Sequence, residues 1–81
     1  MAGSSKLVER FKRRPSDLRW QELVKLLGQL GYEEHEGRGS RKCFRGDGLP
    51  QIRLHKPHPD PTLKKYQVKE VYALLKEANL I

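Results

Sequence analysis

Two short segments of this chain gather residue types that handle phosphate and protons. Gly37-Arg38-Gly39-Ser40-Arg41 sets two glycines beside a hydroxyl and two guanidinium groups. Glycine lets backbone N–H groups come close to a ligand, and a guanidinium offers a planar fork that matches phosphate oxygens. The segment lacks P-loop spacing and does not open a helix, so a nucleotide cradle of that kind is not expected. His55-Lys56-Pro57-His58-Pro59 sets two histidines beside a lysine, a group able to move protons near neutral pH. Cleaving RNA with side chains alone takes a base for the 2′ hydroxyl, charge stabilisation at phosphorus and an acid for the leaving oxygen. Each segment also has a plain structural reading: a glycine-rich hairpin with solvated arginines, and a stiff surface loop. His35, Cys43, His55 and His58 show no recognised metal-ligand spacing, so neither a metal nor another cofactor is expected.

The charge of the chain supports a polyanionic partner. Its 81 residues carry a net charge of +7, and the excess sits in two blocks. Residues 1–20 hold Lys6, Arg10, Lys12, Arg13, Arg14 and Arg19 against Glu9 and Asp17, and residues 37–58 hold Arg38, Arg41, Lys42, Arg45, Arg53 and Lys56 against Asp47 alone. Phosphate contacts made by such blocks release condensed counterions and drive binding. An acidic protein surface would be drawn by the same field, and a solvated basic surface needs no partner at all. The single cysteine, Cys43, has no partner for an internal disulfide and reads as a small strand residue. With no long apolar run and no signal-like start, the expected compartment is cytoplasmic, away from any membrane.

The elements that position these residues follow from periodicity. Leu7, Val8 and Phe11 give Lys6–Lys12 one apolar stripe and predict a short helix. Pro15 ends it and should push Arg14 into extended geometry, and Ser16 and Asp17 are the candidate caps of the next helix. Trp20, Leu23, Val24, Leu27 and Leu30 form the clearest helical stripe, closed by Gly31. Gly28 weakens its last turn by up to ~1 kcal/mol, which suggests a close neighbour there. From Tyr32 to His55 the period falls to two, with segments 32–35, 41–45 and 51–55 separated by glycine-rich turns, as in an antiparallel meander. Phe44, Ile52 and Leu54 then face the core, leaving Arg41, Cys43, Arg45, Arg53 and His55 on the open face. Pro57, Pro59 and Pro61 keep the following loop out of a helix. Val68, Val71, Tyr72 and Leu75 mark a last helix over about residues 67–78, with Asn79 as its left-handed terminator.

The expected fold class is therefore α+β. A three-stranded antiparallel sheet packs on two helices, preceded by an extra short N-terminal helix. Residues 1–15 form an N-terminal extension and residues 16–81 an αβββα domain of the double-stranded-RNA-binding type. Trp20, Leu23, Leu27, Phe44, Ile52, Leu54, Val71 and Leu75 are the predicted core.

Taken together, Leu30-Gly31-Tyr32, Gly39-Ser40 followed by Phe44, and Pro57-His58-Pro59 before a closing helix resemble the HicA family of toxin–antitoxin ribonucleases over about residues 20–80. The resemblance implies metal-independent cleavage of mRNA and neutralisation by a co-encoded HicB-like antitoxin. It also implies a catalytic histidine after Gly-Ser, where this chain has Arg41. Arginine stays protonated and cannot be a general base, so Arg41 is left to hold the phosphate, and His58 or His55 must supply the base. His58 is the stronger candidate on sequence, since Pro57 and Pro59 restrict its backbone. Arg38, Gly39, Ser40, Lys42, Arg45, Arg53 and Lys56 are the expected RNA-binding residues. The alternative is a non-catalytic HicA-like domain that binds RNA and its antitoxin, and a purely protein-binding domain is the third reading.

Overall fold

The computed structural model describes residues 6–39 and 41–81. Their order is α1 (Lys6–Lys12), α2 (Trp20–Gln29), β1 (Glu33–Glu36), β2 (Arg41–Arg45), β3 (Ile52–His55) and α3 (Lys65–Glu77). The strands form one antiparallel sheet in the order β1-β2-β3. This is the expected α+β arrangement, αβββα behind an extra short helix. None of the described helices is long and apolar enough to cross a membrane.

The α2 and α3 stripes bury themselves against one face of the sheet. All eight predicted core residues are buried there. Within α2, Leu26 is buried and Val24 only partly so, which turns the helix slightly from the stripe read off the sequence. Trp20 packs its ring 5.7 Å from that of Phe44 and donates its indole N–H to Glu34 Oε2 at 3.2 Å. Tyr32 is buried and its hydroxyl donates to the carbonyl of Pro50 at 2.7 Å, closing the 46–50 turn under the sheet.

Several local expectations are corrected. Neither Ser16 nor Asp17 caps α2. The cap residue is Arg19, whose backbone N–H is held by Glu22 Oε1 at 2.9 Å, while Asp17 accepts from Arg10 at 3.0 Å. The reason is non-local. Leu18 and Arg19 are extended because they bridge the segment before α3: Trp20 N donates to Pro61 O and Leu63 N to Leu18 O, both at 2.8 Å. Arg14 is left-handed (φ 51°), not extended. It ends α1 by turning the chain back, with its guanidinium 4.6 Å from the Tyr72 ring centroid, a cation–π contact that offsets strain. No atom lies near the space a Gly28 side chain would fill, so nothing packs there. Gly31 and Asn79 do take the left-handed geometry expected of them (φ 102° and 61°).

Helix α1 is no appendage. Val8 and Phe11 are buried in the same core as α2 and α3, and Phe11 stacks obliquely 6.1 Å from Tyr72. Phe11→Ala should lower the unfolding free energy by about 3–5 kcal/mol, the usual cost of emptying a buried aromatic site. Denaturant unfolding measures it, and a loss under ~1 kcal/mol would mean that α1 rests loosely on a domain complete without it.

Candidate nucleic-acid interface

Strand alternation puts Arg41, Arg45, Arg53 and His55 on the side away from the core, while Glu34, Glu36 and Lys42 share the side of Phe44. Register pairs Arg41 with His55, Cys43 with Arg53, His35 with Cys43 and Glu33 with Arg45. Arg41, Arg45, Arg53 and His55 are all exposed on this face. The 37–41 turn that starts β2 depends on its glycines. Gly37 N donates to Arg41 O at 2.9 Å, and a Cβ at Gly37 would stand 2.9 Å from that same oxygen. Gly39 has φ 60°, a left-handed value that glycine adopts without cost. Ser40 lies outside the described residues.

One end of the open face deepens into a groove of about 480 Å³. Arg38, Arg41, Arg45, Arg53 and His55 line one part of it, and Tyr66, Gln67 and Glu70 of α3 line the other. Arg41 Nε donates to His55 Nε2 over 3.4 Å, a long and weak bond. Gln67, a buried polar residue, ties the helix to the strand. Its Nε2 donates to the backbone carbonyl of His55 at 2.8 Å and its Oε1 accepts from Lys64 N at 3.0 Å. That second bond starts α3 at Lys65, two residues before the sequence pattern suggests, and brings Tyr66 to the rim.

Cys43 lines the groove, half-buried. Burial alone pushes its thiol up. Hydrogen bonds from Gln51 and Arg45, with the charges of Arg45 and Arg53, outweigh that and hold it below its ordinary value. The Gln51 bond measures 2.7 Å from Nε2 to Sγ.

The remaining predicted residues scatter. Lys42 borders the groove, but its ammonium is bound by both Glu36 carboxylate oxygens at 2.6 and 2.7 Å. Lys56 and His58 are exposed on the proline loop and do not line the groove. In the N-terminal basic block Arg10 meets Asp17 and Glu22 at 3.0 and 3.7 Å and Arg14 meets Tyr72, while Lys6, Lys12, Arg13 and Arg19 are exposed. Sequence reasoning missed Tyr66, Gln67 and Glu70. The spacing of Gln67 three residues after Lys64 was the available signal.

Against this geometry, a family model described as the HicA toxin of bacterial toxin–antitoxin systems matches residues 20–80. The chain belongs to the HicA toxin family. No curated protein and no solved structure gives a match. Membership makes the chain a toxin of a toxin–antitoxin pair and gives it a cognate antitoxin as partner. The HicA match begins at the first residue of α2, so α1 adds to the core from outside the matched region.

Proposed function

We propose that this HicA-family toxin is an mRNA endoribonuclease that needs no metal, with its reaction centred on Arg41 and His55. The observation that carries the reading is their pairing across β2 and β3 inside an arginine-lined groove, 3.4 Å from Nε to Nε2. A phosphate offers Arg41 two charge-assisted bonds, stronger than its long contact with the imidazole. On binding RNA, Arg41 moves to the phosphate and releases His55 Nε2. That nitrogen takes the 2′ hydroxyl proton, and the 2′ oxygen attacks phosphorus. The bond to the 5′ oxygen breaks, leaving a cyclic phosphate, and water in the open groove protonates the leaving oxygen. Arg41, with Arg45 and Arg53, stabilises the charge that develops. His55 takes precedence over His58 in this role because it alone of the two lines the groove.

Arg41 at the position where the family resemblance calls for histidine favours one second reading, a toxin that has kept RNA binding and lost cleavage. Incubating purified protein with mRNA in EDTA separates the two. Defined cleavage ends support the ribonuclease, and intact RNA with salt-sensitive binding supports the second reading.

The antitoxin, on this reading HicB-like and co-encoded, blocks the toxin by covering the basic groove with an acidic or substrate-mimicking surface. Cys43 reports on that, being a half-buried residue of the groove lining with a thiol held below its ordinary value. Iodoacetamide should alkylate it in the free toxin and weaken RNA binding, with Cys43→Ala indifferent to the reagent. Bound antitoxin should reduce the alkylation rate to a small fraction. An unchanged rate in the complex would place inhibition elsewhere.

A further inference from the structure

Tyr66 is exposed over 61% of its surface, the exposed large hydrophobic residue among those described. It stands at the rim of the arginine-lined groove, on the first turn of α3. A lone exposed ring is ordinary by itself, and what gives this one a use is its place beside the arginines of the groove. Its position is also fixed: Gln67, the next residue, is buried and holds the end of β3 through the His55 carbonyl. Glu70 lies one turn further on, four residues from Tyr66 and so on the same side of α3, and it too lines the groove. A carboxylate there repels phosphate, so the backbone of a bound strand does not run over it. What suits an exposed ring beside an acceptor is a nucleobase. Its face stacks on the ring and its amino edge donates to the carboxylate.

Resting on the RNA-binding reading above, we infer that Tyr66 and Glu70 form a subsite for one unpaired RNA base carrying an exocyclic amino group, next to the phosphate held by Arg41. The toxin therefore takes single-stranded RNA, because a paired base is stacked on both faces and its Watson–Crick edge is already bonded. Phosphate is held by the arginines and the base by α3, which divides affinity between a salt-dependent part and a salt-independent one.

The test is fluorescence anisotropy with the full-length protein and short labelled RNAs: an adenine- or cytosine-containing strand, an all-uracil strand and a blunt duplex. Tyr66→Ala should weaken binding of the amino-base strand about 5- to 150-fold, the range found on removing an aromatic platform from a base. Its salt slope should stay that of the wild type, since every bound phosphate keeps its arginine. Tyr66→Phe and Tyr66→Trp should keep the affinity, and both substitutions sit on an exposed position that leaves the core untouched. The wild type should prefer the amino-base strand to the uracil strand, and Glu70→Gln should erase the preference, because an amide also donates to uracil. Tyr66→Ala binding RNA as the wild type does would overturn the subsite while leaving the arginine groove standing. A Tyr66→Ala protein that loses antitoxin affinity but keeps RNA affinity would overturn it too, making the ring a protein contact. Wild-type protein that binds none of the three RNAs would overturn the subsite together with the reading beneath it.

Discussion

His55→Ala cuts the rate of RNA cleavage in EDTA by about 10²–10⁴-fold, the range over which a lost general base acts, and abolishes growth arrest on induced expression. The substitution removes an exposed side chain and keeps the backbone carbonyl that Gln67 holds, so folding and RNA affinity should stay near those of the wild type. Arg41→Ala differs in kind. It loses the phosphate clamp, which weakens RNA binding and removes cleavage. Arg41→His restores an imidazole opposite His55, at the position where family resemblance calls for one, and should raise cleavage above the wild type if the two rings divide the base and acid roles. His58→Ala is the control from the proline loop and should cleave normally. Undiminished cleavage in His55→Ala removes it from the mechanism, and a loss confined to His58→Ala moves the base to the loop.

The parts of this molecule that were legible in its sequence are those governed by local periodicity. The 3.6-residue stripes of α2 and α3 and the alternation of Ile52 and Leu54 each bury a face, and the structure buries it. What periodicity does not carry is pairing between distant segments. Leu18 and Leu63 are buried because two loops bridge each other through backbone hydrogen bonds, and nothing in either loop announces the other. The same bridge moved the α2 cap from Ser16 or Asp17 to Arg19.

The site divides along the same line. The arginine face follows from Phe44 pointing inward, a one-strand argument. That Arg41 meets His55 needs the register of β2 against β3, which the length of the 46–50 turn sets. The helical half of the groove depends on Gln67, whose amide satisfies the start of α3 and the end of β3 at once. A glutamine in an apolar stripe reads as a surface residue until both partners are in view.

Replacing Arg41 and Arg45 together by alanine should flatten the salt dependence of RNA binding. The slope of log affinity against log salt should fall in magnitude by about 0.7 for each phosphate of a single strand that is no longer neutralised. The two residues stand on the same face of β2 four positions apart, roughly 13 Å at strand rise. That is too far for one phosphate, so each should neutralise its own. Affinity near physiological salt should drop with the slope, and the difference should narrow at high salt, where counterion release contributes less. Loss of net charge anywhere would also weaken a long-range field, and Arg14→Ala separates the two causes. Arg14 is a cation of equal charge, outside the groove, with its guanidinium set over Tyr72. Its removal should leave the slope unchanged. Equal flattening by Arg14→Ala would show a general effect of charge, and an unchanged slope in the double variant would take the nucleic acid off the sheet face.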